Sequence, residues 1–350
     1  QADADIGTVQ ADAQYLGAVP NGIIRFGEDL VVTLSGQNEL LRLEQSNLRV
    51  TGRIRHEAGT NPMQTVALLL EVGTSESDGL LATTQLLADT VRIDDFSQGY
   101  WNPPAPWSFP TGPAPQAVLS LPGEKPQETR LLVANTNFST GTDGVAPYGE
   151  ASLSSMIITA ERSGGSATLR RSSAETINLE SPNFDPESET GSNPTVLLDA
   201  PMIGEILVVG SGLNYGSDGT GADDGVLITI DRDSLSLGER LHLGGSPGSA
   251  VLLSEGPGHR LYVAGPRGIR SIYHDGNSWI QEVREEYAAT GGGSALPFIA
   301  DIAGYENTLY AADFANNAIL LFSIRDDGTL SRRGTVNVSQ GPIALLVDLE

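Results

Sequence analysis

The chain contains no cysteine in its 350 residues. That excludes disulfides, thiolate metal sites and cysteine nucleophiles in one step. Lysine is nearly as scarce: Lys125 is the single one, and the rest of the 20 basic residues are arginine. This bias reads as genome composition or salt adaptation. Against 44 acidic residues the formal charge is −24 and the pI lies near 4.4. Such a field repels nucleic acid and anionic membrane surfaces, and it favours cations or basic partners. No apolar run reaches the roughly 18 residues that a spanning helix needs. The sequence opens at "QADADIGTVQ" without an initiator Met, as a trimmed product does. The expectation is an extracytoplasmic protein (periplasmic, cell-surface or secreted) whose signal was removed, with a lipid-bearing cysteine just ahead of Gln1.

What is present is β-type sequence. Apolar residues at 39% are enough for a core. Helical periodicity is nearly absent, and short β-rich runs alternate with Gly, Pro, Asn and Asp. Five stretches share one plan of strand, turn and strand: "LVVTLSGQNELLRLE" (30–44), 131–159, 206–230, "LYVAGPRGIRSIYH" (261–274) and "LYAADFANNAILLFSI" (309–324). A second element precedes each hairpin, a Pro or Gly leading into an apolar strand. It recurs in "NPMQTVALLLEV" (61–72), "APQAVLSLPG" (114–123), "NPTVLLDAP" (193–201), "SPGSAVLLSEG" (246–256), "LPFIADIAG" (296–304) and "GPIALLVDL" (341–349). A unit of four strands and about 40–50 residues is the period of a propeller blade. One blade cannot bury both faces of its sheet, so blades must stack around an axis.

The pattern of Pro-led strand, "LYVA", turn and "DGTL" resembles the YVTN-type β-propellers, and "ILLFSIRDDGTLSRRGTV" (319–336) is similar to a lactonase-type blade. The likeness covers most of residues 15–350. It implies one all-β propeller domain over 1–350. Six units begin near 20, 61, 114, 193, 246 and 296. Seven blades are expected, with six as the alternative, and with 341–350 and residues 1–19 pairing to close the ring. Lactonase-type relatives use charged and His side chains in the channel for ring opening, but no residue here maps onto that role.

Two regions depart from the repeat. Residues 73–113 give no clear strand assignment and admit a short helix. Within them "YWNPPAPWSFP" (100–110) carries four prolines, which forbid an ordinary strand. Tyr100, Trp101, Trp107 and Phe109 make it a candidate surface for a protein or glycan, or else a plug packed onto a blade. The second departure is the acidic loop 178–194.

Two hairpin turns are enlarged into Gly/Asp-rich loops, 139–151 and 214–225. Asp218, Asp223 and Asp224, with Asp143 and Glu150 in the counterpart loop, are candidate Ca²⁺ ligands, because hard cations take several oxygens on a backbone that can curl. The spacing fits neither an EF-hand nor an RTX repeat, and a solvated hairpin loop is the plainer reading. The acids that follow inner strands (Glu71, Asp199, Asp301, Asp348) read as turn acceptors rather than as a channel ring. "GGSPG" (244–248) matches G-x-S-x-G but lacks the strand-turn-helix setting of a nucleophile elbow. His56, His242, His259 and His274 show no helical metal spacing, and His259-Arg260 reads as a turn. Two Asn-x-Ser sequons, at Asn137 and Asn337, are read as chance.

These features point to a non-catalytic binding or assembly scaffold of the cell envelope or exterior. It would display acidic and aromatic loops to a protein or glycan partner or to copies of itself. The alternatives are a lactonase-like hydrolase with its site at the mouth of the channel, and an accessory redox propeller.

Overall fold

The computed structural model describes residues 19–68, 79–96, 106–136, 150–163, 166–181, 191–212, 225–255, 258–288, 298–338 and 341–347. They form six four-stranded antiparallel sheets, each a simple meander, arranged as a β-propeller. Blade 1 holds β1 (Pro20–Phe26), β2 (Asp29–Leu34), β3 (Glu39–Glu44) and β4 (Val50–Arg55). Blade 2 holds β5 (Pro62–Ala67), β6 (Leu80–Gln85), β7 (Thr90–Asp95) and β8 (Trp107–Pro110). Blade 3 holds β9 (Pro115–Pro122), β10 (Glu128–Asn135), β11 (Ser152–Ser163) and β12 (Ser166–Asn178). Blade 4 holds β13 (Pro194–Ala200), β14 (Glu205–Gly210), β15 (Val226–Asp231) and β16 (Leu237–His242). Blade 5 holds β17 (Ser249–Glu255), β18 (Gly258–Gly265), β19 (Gly268–His274) and β20 (Trp279–Ala288). Blade 6 holds β21 (Ile299–Tyr305), β22 (Thr308–Asp313), β23 (Ala318–Ile324) and β24 (Leu330–Asn337).

The six unit starts read from sequence coincide with the six first strands, and these pack on one another in succession around the axis. Seven blades were the leading expectation. Six four-stranded blades are what the described residues build, and residues 341–347 follow blade 6 without forming a further sheet.

The Pro-led starts have a geometric cause. Val19, Asn61, Ala114, Asn193 and Ser246 each stand directly before a proline with φ of 56°, 52°, 51°, 44° and 47°. This left-handed backbone is unfavourable for side-chain-bearing residues. It is held in four of them by an N–H from the end of the second strand: Ser35 to Val19 O (3.1 Å), Leu86 to Asn61 O (3.1 Å), Thr136 to Ala114 O (3.2 Å) and Ser211 to Asn193 O (3.1 Å). A proline at the first residue of a strand whose outer edge faces the axis removes no ladder hydrogen bond.

Of six core clusters, five are each shared by two adjacent blades, and the sixth (Leu30, Val32, Leu34, Leu41 and Leu43) lies within blade 1. Second strands such as Ile206–Val209 are buried on both faces and so read as continuous apolar runs. Blade 6 differs. Its β22 and β23 are buried on the side facing blade 5, while Tyr310, Ile319 and Leu321 on the opposite side are half-buried.

Blade 2 overturns two expectations. Residues 80–95 form a regular hairpin, not a helix. Trp107–Pro110 is a strand, paired to β7 from Ile93↔Trp107 to Thr90↔Pro110. It is the outermost strand, where an unpaired edge tolerates proline. Among the described residues no helix is long and apolar enough to cross a membrane.

Candidate functional site

In every meander the chain starts its first strand on one face, here called upper, so second and fourth strands end and third strands begin on that face. First and third strands end on the lower face. Asp143, Asp218, Asp223, Asp224, Tyr100 and Trp101 fall outside the described residues, as do Glu71 and Asp348. Asp143 lies in the connection from β10 to β11, and the other three aspartates lie in that from β14 to β15. Both strand pairs are hydrogen-bonded neighbours, so both connections leave from the upper face. Glu150, at the end of the first connection, accepts from Asn178 Nδ2 at 2.6 Å.

Trp107 and Phe109 are half-buried, packed with the cluster that joins blades 2 and 3. The long β11–β12 hairpin contributes Ala160, Ala167 and Leu169 to that cluster. The Arg171 guanidinium lies 6.0 Å from the Phe109 ring, and Ala167 N donates to Asp95 Oδ2 at 3.3 Å.

Around the axis, blades 2, 5 and 6 are each clasped to the segment that follows at one register position. Gln64 Oε1 accepts from Val118 N (2.8 Å), Ser249 Oγ from Ile302 N (3.1 Å) and Asp301 Oδ2 from Leu345 N (2.6 Å). Gln64, Ser249 and Asp301 are equivalent in strand register. Leu345 therefore stands, relative to blade 6, as Val118 stands to blade 2, and residues 341–347 lie where a next inner strand begins. Asp301 Oδ1 also accepts from Ser249 Oγ (2.5 Å) and from its neighbour Ile302 N (2.9 Å). Burial pushes its pKa up, opposed by the hydrogen bonds from Ser249, Leu345 and Ile302. Asp199 and Asp301 thus sit inside first strands rather than in turns, which corrects their sequence reading. Asp199 holds Arg232 through both oxygens, at 2.7 and 3.1 Å.

Between blades 1 and 2 runs a buried polar seam. The hydroxyls of Thr33, Thr65 and Thr83 form a chain, at 2.8 and 3.0 Å. Beside it His56 Nδ1 meets Gln85 Nε2 at 2.7 Å, and Arg92 grips Asp94 with Nε and Nη2 at 2.7 to 3.1 Å. Burial, then the Arg92 charge, lowers the His56 pKa to about 3. Between blades 3 and 4, Glu180 accepts from Ser192 N (2.6 Å), Ser192 Oγ (2.9 Å) and Arg240 (3.2 Å).

The remaining histidines are not on the axis. Ser254, His259, His274 and Trp279 form one cross-strand row at the foot of blade 5. His259 is therefore inside a strand, not in a turn. Segment 244–248 links two strands, β16 to β17, which is not an elbow. Among the described residues no three His, Asp or Glu side chains converge to hold a metal.

Sequence reasoning missed the clefts between blades. One on the lower face between blades 3 and 4 encloses about 590 Å³, and one between blades 5 and 6 about 510 Å³. A third of about 520 Å³ lies between blades 4 and 5, beside Leu241, Arg270, Ile272 and Glu285. The walls come from residues some 50 to 110 positions apart, brought together only by strand register.

No protein-family model matches the chain, and no curated protein matches it. Solved structures do. A functionally unknown protein from Desulfotomaculum acetoxidans is 15% identical, with a TM-score of 0.52 over 89% of this chain and 82% of its own. Hydrazine synthase of Kuenenia stuttgartiensis is 11% identical, with a TM-score of 0.55 over 97% and 92%. The β-propeller domain of Cps50 (Swd1) from Myceliophteria thermophila is 12% identical, with a TM-score of 0.55 over 93% and 88%. At these identities the likeness is one of fold alone, and that fold is the β-propeller.

Proposed function

We propose that this chain is a non-catalytic, extracytoplasmic binding scaffold that recognises a basic partner with its upper face. The observation that carries the reading is the charge of the upper connections. Residues 137–149, 182–190 and 213–224 join strand ends on that face and contain Asp143, Asp185, Glu187, Glu189, Asp218, Asp223 and Asp224, with no Lys, Arg or His. Three one-signed connections of this kind steer and select an oppositely charged partner. The buried charges described above join blade to blade, which suits a rigid platform. The acidic connections are also the place where Ca²⁺ would bind if the protein carries it.

Photo-crosslinking from positions 140 and 220 of the intact chain in its native envelope tests the reading. Crosslinks to a protein or glycan bearing basic groups, lost when the seven acids become Asn or Gln, support it. Turnover of a lactone panel, or crosslinks that survive the seven changes, overturns it.

A further inference from the structure

Three second strands carry a polar residue at the same register position near the lower face. Arg130 pairs with Leu121 and Ile157, Glu205 with Ala200 and Asp231, and Arg260 with Leu253 and Tyr273. The space beside this position, toward the next blade, is treated differently at the three interfaces.

Between blades 4 and 5 it is filled by the chain itself. Trp279 is only 4% exposed. Its indole Nε1–H donates to Glu205 Oε2 at 2.9 Å, and its ring stands edge-on to His274 at 5.1 Å. The counterparts of Glu205 and His274 at the next interface are Arg260 and Ile324, since His274 and Ile324 each end a third strand and pair with the first residue of the fourth. Both line the cavity of about 510 Å³ between blades 5 and 6. The residue in the place of Trp279 is there Leu330, which is shorter. Between blades 3 and 4 the counterpart Arg130, with Arg232, lines the cavity of about 590 Å³.

We propose that the two open clefts, between blades 3 and 4 and between blades 5 and 6, bind a planar aromatic ring carrying an N–H or O–H donor, of the indole or phenol class. The ligand ring enters the space that Trp279 fills in the interface between them, but with Arg260 or Arg130 in the place of Glu205 its donor turns to acceptors at the rim. In the blade 5–6 cleft Leu253 and Ile324 supply apolar walls. The Arg260 guanidinium, which donates to Ser271 Oγ and Asp327 O, lies 5.1 Å over the Tyr273 ring, and both residues line the cleft. Asp326 and Asn307 at the rim supply acceptors for the ligand's donor, the role Glu205 has for Trp279. The blade 3–4 cleft offers Leu121 and Ile157 as walls and Glu124 and Asp233 as acceptors, with Ile157 in the place of Tyr273. Both volumes fall in the range of small-ligand pockets, roughly 300–1,000 Å³. The sites lie on the face opposite the acidic connections, so this inference stands or falls separately from the scaffold reading.

Ligand-observed saturation-transfer NMR on the full chain tests it, with N-acetyl-tryptophanamide as probe and N-acetyl-leucinamide as control. The expected result is transfer to the indole protons and none to the leucine probe. Leu330→Trp fills the blade 5–6 cleft from within and is expected to remove one of two sites. Trp279→Ala opens a third, so binding rises and the free probe restores part of the lost melting temperature. The second variant keeps the test open if the first does not fold. A tryptophan-bearing pentapeptide binding at least tenfold more tightly than the amide identifies a protein segment as the source, and equal binding a free aromatic molecule. Absence of transfer at millimolar probe, or transfer unchanged in both variants, overturns the proposal.

Discussion

His56 Nε2 and Asp94 Oδ2 stand 3.8 Å apart with both side chains wholly buried. The separation is too long for a hydrogen bond, and Nε2 has no other partner. Gln85 meets the opposite ring nitrogen, and Arg92 supplies the positive charge that Asp94 requires. The imidazole is therefore neutral in the fold.

The pH dependence follows from that neutrality. The folded pKa of His56, about 3, lies below its ordinary 6.5, so the unfolded chain takes up the proton first. The stabilisation is complete above pH 6.5 and is lost as pH falls toward 3, on the order of 2–3 kcal/mol by pH 4.5 at about 1.4 kcal/mol per unit. Asp94 opposes this in part, because burial raises its pKa and protonation relieves that cost. Thermal melts of the wild type and His56→Gln between pH 7 and 4.5 check the sign. The variant is expected to lose less on acidification, and parallel curves would remove His56 from the account.

Asp301 anchors the segment that follows blade 6. Asp301→Ala removes the acceptor of Leu345 N and of Ser249 Oγ, at an expected cost of about 2–3 kcal/mol. Amide exchange at Leu345 is expected to rise with it. Asp301→Asn keeps an acceptor and drops a buried charge, so its loss is expected to be about 1 kcal/mol or less. Hydrogen exchange at Leu345 separates the two variants, and equal protection in both would show that another contact holds the segment.

Trp107 belongs to the joint between blades 2 and 3. Trp107→Ala is expected to destabilise by about 2 kcal/mol, less than the 3–5 typical of fully buried aromatics because the ring is half-buried. Urea titration measures it. An unchanged midpoint, with loss of a binding partner instead, would return this aromatic to the display role read from sequence.

Calcium remains a proposal for the upper connections. If Asp218, Asp223 and Asp224 form a site with Asp143, millimolar Ca²⁺ raises the melting temperature and excess chelator reverses the rise, since a ligand of the native state alone must stabilise it. Identical curves leave those acids as solvated charge.

Much of the ring was legible because five of the six blades are led by a proline whose preceding residue is locked left-handed, a local device that leaves a local trace in "VP", "NP", "AP" and "SP". Blade 2 was hidden for the same physical reason inverted. Its outer strand carries a proline that an edge permits and a pattern reading forbids, and "LLATTQ" mixes small polar with apolar residues because Thr83 is hydrogen-bonded in a buried seam. Asp199 and Asp301 looked like turn acids because the partners that keep them inside strands, Arg232 and Leu345, lie 33 and 44 residues away. The lower clefts were illegible for a stronger reason. Their walls are equivalent only through strand register, as Trp279 and Leu330 are, across segments that share no sequence.

The axial clasps have a direction. Each side-chain oxygen takes its N–H from the blade that comes later in the chain, never the reverse, in all three links formed by Gln64, Ser249 and Asp301. Where a blade carries such an acceptor the joint behaves like one tooth of a one-way zip, which needs only a backbone amide from its successor. The acceptor side is specified by one side chain and the donor side by any backbone, and Leu345 already supplies the amide that Asp301 requires of a successor.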